Sequence, residues 1–175
     1  MKTPALFPSQ CTAIISDCGK YRYRLTRVWN DAKPPMCWIM LNPSTADAFV
    51  DDPTIRRCIG FAKSMDFGGI VVVNLFALRA TDPAELMVSE HPAEAADAPV
   101  GTNDSHVLEC AKQYGAVCAW GANPAAKYRA PYVLKLLQRE GIEPDCLGVT
   151  RDGHPKHPLY VPANTRPVPL IGGAA

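Results

Sequence analysis

The run Cys37-Trp-Ile-Met-Leu-Asn-Pro-Ser-Thr-Ala-Asp47 begins apolar and stops abruptly at Asn42-Pro43. An apolar stretch this short and β-prone predicts a buried parallel strand, and the Asn-Pro that ends it places polar groups at the strand's carboxyl edge. In open α/β sheets that edge is where ligands bind. Three further segments repeat the design. Gly69-Ile-Val-Val-Val-Asn74, Ala116-Val-Cys-Ala-Trp-Gly121 and Cys146-Leu-Gly-Val-Thr150 are apolar runs that end in polar or glycine-containing turns. Asn, Gly and Pro punctuate strands in most proteins, but four such ends in one chain point to a shared pocket.

Helix signals alternate with these runs. Asp52-Pro53 combines an N-cap residue with a proline at the first helical position, and Ile55, Cys58, Ile59 and Ala62 then fall on one face. Asp82 is placed to cap a short helix containing Glu85, Leu86 and Met87, and a third helix starts near Thr102 to Asp104. The last helix follows Asn123-Pro124 and ends at Gly141, with Pro131 expected to kink or restart it. Ahead of all of these, Thr12 to Ile15 and Tyr21 to Trp29 read as a β-hairpin across Asp17-Cys-Gly-Lys20. Strict alternation sets Tyr21, Tyr23, Leu25 and Trp29 on its packed face and Arg22, Arg24 and Thr26 on a solvated one, which beside a cleft would meet phosphates. The pattern predicts an α/β fold, a three-layer α/β/α sandwich with a mainly parallel central sheet plus the N-terminal β-hairpin. It reads as a single domain over residues 1–175, with an arm at 1–10 and an irregular tail at 163–175. A chain of this size buries roughly 70% of the surface its unfolded form exposes, so its core needs no staple.

Composition narrows the chemistry. With 18 basic and 17 acidic side chains the net charge is +1, so any nucleic-acid surface must be local. Seven cysteines without a C-x-x-C point to reduced thiols packed as small hydrophobes. His154 and His157 are separated by Pro155 and Lys156 with no acidic or thiol ligand near in sequence, so a metal site is a weaker reading of the pair than a catalytic or binding role. No run approaches the roughly 20 apolar residues of a membrane span, which predicts a soluble, cytoplasmic protein.

The strand ends themselves resemble a known superfamily. Gly69-Ile-Val-Val-Val-Asn74-Leu is similar to the second strand of uracil-DNA glycosylases, Cys118-Ala-Trp-Gly121 to their Trp-Gly strand end, and His154-Pro-Lys-His-Pro-Leu159 to their final His-Pro-Ser-Pro-Leu loop. Leu41-Asn42-Pro43 is similar to the Asn-Pro motif of the mismatch-specific uracil and thymine glycosylase branch. The order and approximate spacing of the four pieces agree across residues 36 to 160. The chain as a whole also resembles a bacterial and phage family of unknown function built around Leu-Asn-Pro-Ser and Asp-Asp-Pro-Thr strings.

The first resemblance implies a monofunctional DNA glycosylase without a cofactor or an obligatory protein partner, acting on DNA by flipping a pyrimidine out and hydrolysing its glycosidic bond. It implies that Asn74 reads the base edge, that Asn42 orients water, and that a histidine stabilises the departing base. His154 opens the motif and is preferred for that role. The loop carries one residue more than the family's, however, and His157 remains the alternative. Asp47, Asp51 and Asp52 are candidates for a missing carboxylate, with helix capping the competing role of Asp52. Ser44 stands where the uracil enzymes place an aromatic barrier, which predicts room for a 5-substituted pyrimidine, a hypermodified phage base included. Ser44 and Thr45 offer hydroxyls to the base or its substituent, whereas Phe76, Phe49 or Tyr160 would refill the space. Lys156 is a candidate phosphate contact, and Leu159 or Tyr160 a candidate wedge into the base stack. Two other classes fit the same residues: a noncatalytic module for modified bases or nucleotides, and a nucleoside hydrolase or transferase.

Overall fold

The apolar run at the centre of the sequence is also the centre of the sheet. In the computed structural model, which describes residues 10–44, 49–94, 98–99 and 101–171, β3 (Pro35–Met40) lies between β4 (Gly69–Asn74) and β5 (Val117–Cys118) and is parallel to both. Successive side chains of a strand face opposite ways, and here both faces are covered. Met36, Trp38 and Met40 join Ile70 and Val72 in one apolar cluster, while Cys37, Ile39 and Leu41 join Val71, Val73 and Leu75 in the other. A strand buried on both faces needs apolar residues at every position, which is why the run shows no alternation.

Parallel pairing continues from β5 to β6 (Asp145–Cys146), and both edges are antiparallel. The hairpin β1 (Gln10–Ile15) and β2 (Arg22–Val28) joins the sheet through β4, and β7 (Val168–Pro169) joins through β6. The result is one mixed seven-stranded sheet ordered β1-β2-β4-β3-β5-β6-β7. The four central strands are parallel and the hairpin is antiparallel, as expected. One expectation changes: the tail expected to be irregular supplies an edge strand.

Among the described residues four α-helices flank the sheet. α1 (Pro53–Ser64) buries Ile55, Cys58, Phe61 and Ala62 against the Trp38 side. Its start is fixed as the sequence predicts, since the Asp52 carboxylate accepts the Ile55 N–H at 2.8 Å and Pro53 occupies the first turn. After the short α2 (Glu85–Val88), α3 (Thr102–Tyr114) and α4 (Ala126–Arg139) cover the opposite face with Val107, Cys110, Ala126, Ala130, Val133 and Leu137. α4 runs through Pro131 without a break. A proline in the second turn deprives only the carbonyl four residues back, here that of exposed Lys127, which water can satisfy. Burial pushes the Cys37, Cys58 and Cys118 thiols well above their ordinary range, so they pack as inert apolar groups. No helix among the described residues is long and apolar enough to cross a membrane.

The hairpin departs most from its predicted faces. Ile14 pairs with Arg24 but Ile15 pairs with Arg22, so Tyr23 is an extra residue on β2. Such a bulge reverses the alternation beyond it. Tyr23 stacks on His106 of α3 with ring centroids 5.5 Å apart, while Arg22 turns to the α1 side with Leu25 and Arg27. The face expected to be solvated is therefore not: Arg22 is 2% exposed, Thr26 is buried and Arg24 is half-buried, while Arg27, also buried, donates its Nε–H to Asp51 at 2.9 Å.

Close backbone approach fixes the entry to β4. A Cβ added to Gly68 would fall 2.0 Å from the Asn30 carbonyl oxygen and 2.4 Å from that of Lys33, whereas one added to Gly60 on exposed α1 would meet nothing within 4 Å. Gly68→Ala is expected to destabilise the protein by about 2 kcal/mol or more. Gly60→Ala is expected to stabilise it by about 0.5–1 kcal/mol through helix propensity. Thermal unfolding of the two variants checks the opposite signs.

Candidate functional site

The chain reverses its direction of travel across the sheet at β3, with β4 on one side and β5 on the other. A sheet opens a crevice at that point, outside the carboxyl ends of its strands. A cavity of about 350 Å³ lies there, where Asn42 and Ser44 leave β3, Asn74 ends β4, and Trp120 to Asn123 follow β5. The start of α1, through Asp52, Thr54 and Ile55, closes one side, and Arg22, His157 and Tyr160 complete the wall.

Each strand end is held by its neighbours. Asn42 Nδ2 donates to the carbonyls of Ala80 at 2.8 Å and Pro43 at 3.0 Å. Two carbonyls beside that nitrogen settle the orientation of the amide and leave Oδ1 as its acceptor. Asn74 is 1% exposed, and its Nδ2 has no hydrogen-bond partner among the described residues. Its backbone carbonyl accepts from Asn103 Nδ2 at 3.0 Å, and the carbonyl of Leu75 accepts from both Asn103 at 3.2 Å and Arg129 Nε at 3.1 Å. α3 and α4 thus clamp the end of β4. Asn103 is fully buried, a role that its position in the first turn of a helix does not announce. The Ser44 hydroxyl donates to Asp52, whose other oxygen caps α1. Capping is therefore one function of Asp52, and Asp51 is engaged with Arg27.

The two histidines occupy different cavities. His157 lines the main one, with its Nδ1 accepting the Leu159 N–H at 3.3 Å. Burial pushes its pKa below the ordinary value of 6.5, while Asp52 pulls it up. The imidazole is consequently neutral at pH 7, and an accepting Nδ1 places its proton on Nε2. His154, preferred from the sequence, lines a neighbouring cavity of about 500 Å³ beside Trp120 and Pro155. The cause is the way the loop is tied to the chain before it. Pro155 bridges to Val149 and the Lys156 N–H bonds the Gly148 carbonyl at 2.9 Å, so the segment is tied down past His154 and reaches the main cavity only at His157. Gly121 has φ of +76° and a Cβ there would come within 3.3 Å of His157 Cβ, which explains the glycine after Trp120. Arg57 of α1 donates to the carbonyls of Pro158, at 3.2 Å, and Val161, fixing the far side of the loop.

Other expectations separate in the same way. Phe76 is 6% exposed and packed in the cluster under α3 and α4, so it does not line the cavity, because the chain after Asn74 turns its next apolar residues into the core. Tyr160 lines the rim at 83% exposure, with its ring 5.6 Å from that of His157. Lys156 and Leu159 are exposed on the loop outside the cavity, and Phe49 is 85% exposed. Thr45 and Asp47 lie outside the described residues. Arg22 was missed because only the β2 bulge aims it at the cavity. Trp120 lies between this cavity and its neighbour, and its Nε1 is buried without a hydrogen-bond partner among the described residues.

The chain is an α/β protein with a mixed seven-stranded sheet, and its cavity lies at the carboxyl ends of the central parallel strands, the place where open α/β sheets bind ligands. It is a member of the family described as protein of unknown function (DUF1643), which matches residues 22–159 and so takes in every residue placed on the cavity wall except Tyr160. No curated protein and no solved structure matches the chain.

Protonating His157 would set its Nδ1–H against the Leu159 N–H. Nitrogen-15 NMR is therefore expected to find His157 as the Nε2–H tautomer at pH 7, titrating below 6.5. Asp52→Asn is expected to lower that midpoint further, since it removes the carboxylate that raises it.

Proposed function

We propose that this chain is a monofunctional DNA glycosylase on a uracil-DNA glycosylase-like three-layer sandwich, flipping a pyrimidine from DNA and excising it by hydrolysis. The observation that carries this reading is the convergence of Asn42, Asn74 and His157 on one cavity from three separate parts of the chain. These are the positions that the resemblance marks for water, base edge and leaving group, with His157 replacing His154.

The chemistry follows from the three groups. An amide such as Asn74 offers a donor and an acceptor and pairs with a pyrimidine edge as another base would. Asn42 Oδ1 accepts a hydrogen bond from water and orients it, but an amide is too weak a base to remove a proton outright, so turnover is slow. The Nε2–H of His157 donates to a base oxygen as negative charge develops there, and a preorganised donor of this kind contributes about 3 kcal/mol to the rate. Exposed Leu159 and Tyr160 suit the gap left in the base stack, and Lys156 a neighbouring phosphate.

The preferred base is a 5-substituted pyrimidine. Ser44 is small, and past Ser44, Ala80 and Thr81 the cavity gives onto a groove beside Lys20 and Arg79 that has room for a polar substituent. A site built for uracil alone gains nothing from that room.

Oligonucleotides carrying uracil, 5-hydroxymethyl and glucosylated pyrimidines, scored for abasic sites, test both parts. Abasic sites are expected to form faster from the substituted bases than from uracil. Under single-turnover conditions His157→Ala is expected to lose about 10²- to 10³-fold in rate, with His154→Ala close to wild type. Tight binding of modified bases with no base released would establish a recognition module instead. Cleavage of free nucleosides but not of oligonucleotides would establish a nucleoside hydrolase.

A further inference from the structure

Trp120 stands between the strand-end cavity and its neighbour of about 500 Å³, and its Nε1–H, on a side chain 3% exposed, has no acceptor among the described residues. His154 lines the second cavity at 8% exposure and is anchored through its backbone. Its N–H donates to the Thr150 hydroxyl at 3.1 Å, and its carbonyl accepts the Thr150 N–H at 2.8 Å. That anchoring leaves to the cavity an imidazole which, when neutral, carries one donor and one acceptor. A buried donor left without an acceptor is costly, so an acceptor that enters the cavity and meets the indole N–H is bound favourably.

The remaining lining favours a neutral, largely apolar molecule. Ala126, Ala130, Pro131, Leu134, Pro155 and Leu170 make the walls apolar. Lys127 and Asp152 are exposed and carry opposite charges, which cancel. α4 begins here, yet the N–H groups of Ala126 and Lys127 are spent on the carbonyls of Asn123 and Pro124 at 3.0 and 3.1 Å, and that of Gly153 on Thr150 at 3.0 Å. The start of the helix therefore presents no free donors to an anion. The volume lies within the roughly 300–1,000 Å³ of small-molecule sites, and proline and alanine walls offer flat apolar surface to a planar ring.

We infer that the second cavity binds a neutral planar heterocycle of nucleobase size, whose ring carbonyl accepts from Trp120 Nε1 and whose edge bonds the imidazole of His154. Such a site holds its ligand whether or not the strand-end cavity excises a base. The ring reaches it from one of two sources. It arrives as a free base or nucleoside, or as the base next along a strand whose neighbour lies in the strand-end cavity, since Trp120 and Ala122 line both. In the second case a single strand binds better than a duplex, because two adjacent bases held in separate cavities must be unstacked and unpaired.

The test needs no turnover. Thymine and hypoxanthine are titrated into nitrogen-15-labelled protein, with benzoate and benzylamine as charged rings for comparison. Both bases are expected to shift the Trp120 indole N–H signal and the amide signals of Leu134 and Gly153, which line the second cavity and not the strand-end one. They are expected to bind about 10-fold or more tightly than the charged rings, which bring an unpaired charge to apolar walls. Trp120→Phe, which keeps a ring and removes the N–H, is expected to weaken both bases about 10-fold. Leu134→Trp, which fills the cavity, is expected to abolish the shifts. If Leu134→Trp does not fold, Trp120→Phe and the ligand series decide. A thymidine dinucleotide separates the sources. Binding about 10- to 100-fold tighter than thymidine, with the Ser44 and Thr81 signals moving as well, supports the site and assigns it to a strand. Thymine bound as tightly as the dinucleotide supports the site and assigns it to a free base. Shifts confined to Ser44 and Thr81, charged rings bound as tightly as the bases, affinity indifferent to Trp120→Phe, or no binding of either base would overturn the inference. Binding at the second cavity without abasic sites in oligonucleotides would leave the inference standing and sink the glycosylase reading.

Discussion

Strand β3 is hydrogen-bonded along both edges and covered on both faces, so it cannot bend away from the sheet, and Leu41 to Ser44 must leave it at one fixed point. The cavity depends on that constraint. Asn42 is held by the Ala80 carbonyl, and the N–H groups of Leu75 and Phe76 bond the carbonyls of Met40 and Leu41 at 2.9 and 3.0 Å, so the ends of β3 and β4 stay joined past their last paired residues. Side chains on rigid strand ends keep their separation without cost at the moment of binding, which is what electrostatic preorganisation requires.

Polar groups below and beside the cavity convert that rigidity into orientation. Asn103 and Arg129 hold the carbonyls that follow Asn74, and Arg129 is itself paired with Asp104 on α3. Buried polar groups are costly unless bonded, so a clamp of this kind specifies one position for the strand end. On the other side Asp52 joins three structures. It caps α1, accepts from Ser44 after β3, and raises the pKa of His157 against the effect of burial. Arg57, one turn further along α1, binds the loop that carries His157. A single helix therefore ties the first and last motifs of the chain together across more than a hundred residues.

Two arginines of β2 leave the strand on the same side and are buried there: Arg27 donates to Asp51, and Arg22 lines the cavity. Burying a charge is costly unless it is paired and hydrogen-bonded, so each of these side chains has a defined place.

The sequence by itself determined the elements whose causes are local. An unbroken apolar run is enough to place β3 and β4, and Asp52-Pro53 is enough to start α1, because burial and capping act on residues adjacent in the chain. It also determined that Asn42 and Asn74 stand at strand ends, hence near each other once the strands are parallel neighbours. Only the tertiary structure set His157 on the wall of the strand-end cavity and His154 on that of its neighbour, since the loop's reach depends on bonds from Lys156 to Gly148 and from Arg57 to Pro158. It alone turned Arg22 inward, because one extra residue in β2 reverses every side chain beyond it, and periodicity read along the chain cannot show which strand residue its partner will skip. Phe76 follows the same logic: its place after Asn74 suggests the site, but the face it takes is set by α3 and α4 packing over it. Local chemistry wrote the strands and caps, and pairing between remote segments chose which polar groups face the cavity.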